Sequence, residues 1–179
     1  MSQKHSAGSV RRLVLCALLV AMSIVFGRIL AIDAGALRFN LGAVPVLLAA
    51  MVFGPVEGAV IGGVADMLGA ILTGYAINPI ITLGAASIGM VCGLLWRLPA
   101  HKLLPRTIAA VFGGHIVGSL IINSLALRYF YGYAWAVLAL RIPSYLLLSC
   151  IEVAVLYTLV RSGALSRALP HIRQQEDRA

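Results

Sequence analysis

Long apolar runs are cut at three short basic segments, and that alternation confines the chain to a membrane. Lys4, Arg11 and Arg12 form the first segment, Arg97, Lys102 and Arg106 the second, and Arg161, Arg167, Arg173 and Arg178 the third. Together they hold ten of the fourteen Lys and Arg residues. Basic residues beside short loops mark the cytoplasmic side of a membrane protein, so an even number of spans separates each pair of segments. The 84 residues between Arg12 and Arg97, and the 54 between Arg106 and Arg161, fit four spans and then two at ~20 residues each. The expected fold is all-α: a polytopic bundle of six transmembrane helices with both termini inside.

Composition agrees. Mean hydropathy is +0.98 and 11% of residues are charged, against about a quarter in soluble domains. The net charge of +8 sits in loops between apolar runs, so lipid headgroups rather than nucleic acid are the expected partner. No alternation of aromatic and basic residues marks a single-strand binder. The expected organisation is a basic cytoplasmic segment over 1–12, a six-helix membrane domain over 13–160 and a basic cytoplasmic tail over 161–179. The first apolar run is long for a signal peptide and reads as a retained span. Cys16, Cys92 and Cys150 are odd in number and lack metal-ligand spacing, so reduced packing residues are expected.

The expected helices cover about 13–32, 39–52, 59–72, 79–96, 107–127 and 137–160. Glycines recur at four-residue steps (Gly54, Gly58 and Gly62; Gly89 and Gly93; Gly114 and Gly118), which lets helix backbones approach closely in lipid. Ala17 and Ala21 lie one turn apart in the first helix. Their spacing favours internal packing over a docking face for another membrane protein.

Polar residues at membrane depth are functional candidates by default. Asp66 falls midway along the third helix, either paired with an arginine or accepting two hydrogen bonds from a ligand. Glu152, in the last helix, reads as an internal polar clamp, and His115 as a buried, hydrogen-bonded histidine. Arg28, Arg38, Arg128 and Arg141 lie toward the outer side, where topology gives them no reason to be. They either snorkel to headgroups or bind an anionic ligand through their guanidinium forks. Arg28 has a further alternative: on a straight helix it shares a face with Ala21, unless Gly27 changes the phase. Asn78 and Asn123 can donate to and accept from a heterocycle. Tyr75, Tyr131 and their aromatic neighbours either stack on such a ring or form an interfacial belt. No Gly-Lys-Ser/Thr loop, zinc motif or Gly-x-Ser-x-Gly elbow is present, so neither ATP hydrolysis by this chain nor a catalytic, metal or cofactor site is expected.

Several stretches, in order, resemble the substrate-binding membrane subunits (S components) of energy-coupling factor vitamin transporters, above all the folate branch. They are Ala17-Leu-Leu-Val-Ala21, Leu37-Arg38-Phe-Asn-Leu-Gly42-Ala-Val-Pro45, Phe53-Gly54-Pro55 leading to Gly58, and Gly63-Val-Ala-Asp66-Met-Leu-Gly69. Pro79 with Thr82-Leu83, Ile122-Asn123-Ser124, Tyr131-Gly132, Arg141 and Glu152 continue the match. The resemblance implies a six-helix subunit of the prokaryotic plasma membrane that captures a vitamin from outside. It also implies docking through Ala17 and Ala21 onto a transmembrane coupling subunit driven by two ATPase subunits. One stretch departs: Asn78-Pro-Ile-Ile-Thr-Leu83 stands where folate-type members tend to read Phe-Pro-Gly-Phe-Thr-Leu.

The expected function is therefore substrate capture for an ATP-driven importer, with folate or a related pteridine as ligand. Arg28, Arg38, Asp66, Tyr75, Asn78, Asn123, Arg128, Tyr131 and Arg141 are the candidate ligand residues. The alternatives are a different vitamin or nucleobase-like compound, or a membrane scaffold without a ligand.

Overall fold

A computed structural model describes residues 3–34, 37–99 and 102–162, with side chains described over 10–32, 39–99 and 102–162. The Lys4 and Arg38 side chains and the tail beyond residue 162 lie outside that set. The chain is almost entirely helical. Helix α1 (Gln3–Ile24) passes into a π-helical turn, Val25–Ile29, and a short hairpin of β1 (Ile32–Ala34) and β2 (Leu37–Phe39) follows. Then come α2 (Ala43–Phe53), α3 (Pro55–Leu72) and α4 (Pro79–Trp96). Helix α5 (Leu103–His115) continues through a second π-helical turn, Ile116–Ile122, into α6 (Asn123–Tyr131). A short α7 (Trp135–Ala139) leads into α8 (Arg141–Arg161).

Five of these stretches are long and apolar enough to cross a membrane: Val10–Ile29, Pro55–Leu72, Pro79–Trp96, Leu103–Tyr131 and Trp135–Arg161. The sixth, α2, has eleven residues and reaches roughly 16 Å at the α-helical rise, about half of the hydrocarbon core. Its position explains how so short a helix suffices. Leu47, Ala49 and Ala50 have no exposed surface, and α1, α3 and α4 pack around it. A helix enclosed by others is apolar on every side and need not match the bilayer thickness.

Local chemistry sets the element ends. Gly54, with φ +118°, turns α2 into α3 in a conformation that side chains rarely adopt, and Pro55 opens α3 where an N–H would be unpaired. Asn78 caps α4: its Oδ1 accepts from the N–H groups of Ile80 at 3.0 Å and Ile81 at 3.5 Å, with Pro79 next. The connection after the first helix is not a plain loop. It forms an antiparallel pair in register Ile32 with Phe39, Asp33 with Arg38 and Ala34 with Leu37, which satisfies its own backbone groups near the membrane surface.

Helices α3 and α4 meet along small residues. A Cβ on Gly58 would lie 2.9 Å from the Gly89 carbonyl oxygen, so the seam closes only because both positions lack side chains. The core below it gathers Leu47, Ala50, Cys92, Ala110, Val111 and Leu156, all without exposed surface. Cys92 is a buried packing residue, but Cys150 is exposed and does not fill the packing role expected of it. At one end of the bundle Arg12 pairs with Glu57 and reaches the Phe53 carbonyl, while Arg106 donates to the Trp96 carbonyl at 2.6 Å and covers its ring. The first two basic segments thus share one end of the molecule.

Candidate functional site

Toward the other end, α1, the residues after β2, α3, α4, α5 with its π-turn, and α8 enclose a cavity of about 250 Å³. Small molecules usually occupy clefts of comparable or somewhat larger size, with a few convergent polar groups. Here those groups come from Ser23, Arg28, Asn40, Asp66, Ser119 and Asn123. A second cavity, of about 360 Å³, lies at the Arg106 end and has Trp96, Arg97 and Arg106 in its wall; among the described residues that wall has no carboxylate or amide side chain.

Arg28 reaches the cavity because of the π-turn. Leu30 N–H donates to the Val25 carbonyl, five residues back, at 2.9 Å, so this turn carries one residue more than an α-turn and the helix face rotates. Ala21 is exposed, yet Arg28 leans inward. Arg28 Nη2 then lies 3.2 Å from Asp66 Oδ1. Thr82 Oγ1 donates to the other carboxylate oxygen, Oδ2, at 2.8 Å. The pair is about four-fifths buried, at 20% and 16% side-chain exposure, where a carboxylate requires both charge and hydrogen-bond partners.

The second π-turn shapes the opposite wall. Asn123 N–H donates to the Gly118 carbonyl, again five residues back, and Ser119 and Asn123 both face the cavity. Asn123 Oδ1 is buried with no hydrogen-bond partner among the described residues. That oxygen is packed against α4, where a Cβ on Gly84 would overlap it. Behind Ser119, His115 Nδ1 lies 3.0 Å from Ser119 Oγ, and His115 Nε2 lies 2.5 Å from Glu152 Oε2. Tyr145 tilts against the His115 ring at 5.6 Å between centroids. Arg141 holds that tyrosine, its Nη2 donating to the hydroxyl at 3.0 Å and its Nη1 to Ser124 Oγ at 3.3 Å.

Of the residues selected from sequence, Arg28, Asp66 and Asn123 meet at the cavity, and Arg141 stands directly behind its wall through Tyr145. Strand β2 carries Arg38 close to α8, with its side chain outside the described set. Four others fall elsewhere. The Asn78 carbonyl oxygen is engaged in capping α4, because an asparagine directly before a proline-led helix is the nearest acceptor for the free N–H groups. Tyr75, in the loop after α3, and Tyr131, the last residue of α6, are exposed and do not line the cavity. Arg128 donates to the Tyr133 carbonyl at 3.3 Å and lies over the Trp135 ring, fastening the loop that follows α6.

Ser23, Asn40, Ser119 and Tyr145 were not selected. Small polar residues within apolar runs carry little signal, although Ser119 stands four residues after His115 and so shares its face. Ala17 and Ala21 are exposed, so the internal packing favoured by their spacing does not occur among the described residues. They lie on an apolar outer face with Leu13, Val14 and Leu18.

Comparison with known proteins bears on this architecture. The family described as "ECF transporter, substrate-specific component" matches residues 11–160. A crystal structure of FolT bound with folic acid superposes with a TM-score of 0.72 at 25% identity, covering 82% of this chain and 90% of that one. The S component of a bacterial ECF transporter superposes at 0.69 with 23% identity, covering 87% and 96%, which speaks to the fold alone. No curated protein matches the sequence.

Proposed function

The chain belongs to the family of ECF transporter substrate-specific components, and from that premise we propose that it captures folate or a related pteridine for an ATP-driven importer. Membership carries the coarser role, a membrane subunit that binds a vitamin-like substrate and works with an energy-coupling module. The pteridine assignment is the finer step. It rests on Asp66, a carboxylate set in the cavity wall and held there by Arg28 and Thr82.

A pterin edge carries neighbouring N–H donors. Asp66 accepts from Arg28 and Thr82 and still has lone pairs on both oxygens, so it can take such an edge in bidentate fashion. The cavity volume suits a fused bicyclic ring, leaving a tail to project toward the outer end. Arg141, and Arg38 on β2, stand on that side for carboxylate groups. Likeness to a FolT bound with folic acid supports the same ligand class.

The docking partner is a transmembrane coupling subunit, itself driven by two ATPase subunits, with Ala17 and Ala21 in the contact face. Exposed small residues on an apolar helix permit the close backbone approach that membrane helix pairs use. The setting is the prokaryotic plasma membrane, with both termini in the cytoplasm. The role is capture and delivery rather than chemistry on the vitamin.

A second ligand reading has its own observation. Ile81 lines the cavity where folate-type members tend to have an aromatic residue, so ring stacking is weaker and another vitamin or nucleobase-like compound fits. Mass spectrometry of small molecules retained by the purified protein tests both. Recovery of a pteridine supports the first reading and a different vitamin supports the second; protein empty in several detergents points to a scaffold.

A further inference from the structure

Glu152 has no exposed surface and does not line the cavity. Its Oε2 lies 2.5 Å from His115 Nε2, and its Oε1 has no partner among the described residues. On the far side of the imidazole, Nδ1 lies 3.0 Å from Ser119 Oγ, and that oxygen has no other hydrogen bond among the described residues. His115 and Ser119, both nearly fully buried, line the cavity. The three side chains therefore form a line from an interior carboxylate to the ligand wall.

Counting protons along that line fixes its direction. A lone negative charge with no exposure is strongly disfavoured, so the His115 and Glu152 pair is net neutral. Net neutrality has three forms: imidazolium beside carboxylate, neutral imidazole accepting a hydrogen from the carboxylic acid at Nε2, or neutral imidazole donating from Nε2 to an acid whose hydrogen sits on Oε1. The third buries an O–H on Oε1, which has no partner among the described residues, and is disfavoured. The other two leave a hydrogen on Nδ1. An anionic pair is not offset from elsewhere: Arg28 is matched by Asp66, and Arg141, whose partners are the neutral Tyr145 hydroxyl and Ser124, stands eleven residues from Glu152 along α8, roughly 16 Å at the helical rise.

We propose that Glu152 is a positioning residue that acts through His115 to hold Ser119 as a hydrogen-bond donor toward the cavity. With Nδ1–H donated to Ser119 Oγ, the serine's own hydrogen points to the ligand. The ligand must then present an acceptor there, a ring nitrogen or carbonyl oxygen. This inference rests on the cavity being the ligand site and narrows the ligand to a polar heterocycle with an acceptor facing Ser119.

Nitrogen NMR of histidine-labelled protein, with His115 assigned by loss of its signal in His115→Gln, tests the first half without any ligand. The expected result is a hydrogen on Nδ1; a bare Nδ1 overturns the proposal. The second half uses pteridines in which single ring nitrogens are replaced by carbon. Wild-type protein is expected to bind the analogue lacking the acceptor opposite Ser119 roughly tenfold more weakly than the parent, and Ser119→Ala to bind the two alike. Glu152→Gln, whose amide can donate to Nε2 and keep the hydrogen on Nδ1, retains the discrimination, whereas Glu152→Leu loses it. Discrimination that persists in Ser119→Ala or in Glu152→Leu overturns the relay. Failure of every pteridine to bind, with Nδ1 still protonated, defeats the folate reading and supports the relay.

Discussion

Arg28 and Asp66, 38 residues apart in the chain, are joined at 3.2 Å across the cavity wall. One comes from a π-turn at the end of the first span and the other from the middle of α3. The pair gives the cavity a fixed carboxylate without leaving a net charge in the membrane.

Asp66→Asn keeps the shape and removes the charge. An amide cannot offer two acceptors to a paired N–H edge, and a charge-assisted bond is worth about 2 kcal/mol. Binding of a pteridine is expected to weaken roughly thirtyfold or more by calorimetry, and the thermal unfolding temperature to fall, because Arg28 is left buried without its carboxylate. Unchanged affinity in a folded variant makes Asp66 a purely structural partner of Arg28.

Ala17 and Ala21 face outward on α1. Replacing either with Trp is expected to abolish vitamin uptake by whole cells while isolated protein binds its ligand as before, because the bulk blocks a neighbouring helix without entering the bundle. Parallel loss of binding and uptake would place the pair's role inside the subunit and remove the docking face.

The α3–α4 seam is intolerant of added volume. A Cβ on Gly58 would lie 2.9 Å from both the Gly89 oxygen and the Ala50 Cα, so Gly58→Ala is expected to cost about 1–3 kcal/mol through backbone displacement. Gly63, whose Cβ would meet only Ala86 at 3.7 Å and Thr82 at 3.9 Å, serves as the control. Unfolding temperatures of the two variants in one detergent should differ clearly, with Gly58→Ala the lower.

Orientation is open to a labelling test. The basic end carries Arg12 and Arg106, and Gly132 caps α6 at the other. A cysteine placed between 98 and 105 is expected to be shielded from an impermeant thiol reagent in intact cells, whereas one at Gly132 reacts. Labelling of both from outside contradicts cytoplasmic placement of the second basic segment.

Helix number and approximate limits were legible from the chain alone, because lipid imposes a length and a polarity that every span must satisfy independently. Pro79–Trp96 appears in the structure with the ends read from sequence, since a proline and a basic residue mark its two limits. Asp66 and Asn123 were legible for a related reason: a polar group in an apolar run stands out wherever the helices go. Tertiary structure alone decided direction. Arg28 and Ala21 share a face on a straight helix, and only the π-turn sends one into the cavity and leaves the other outside. Asn78 and Asn123 have identical side chains near helix ends, yet one caps its own backbone and the other lines the cavity. Ser119 acquires its role from Glu152, 33 residues on, through a histidine between them. Those assignments depend on which groups meet across helices, and periodicity within a single helix carries no such information.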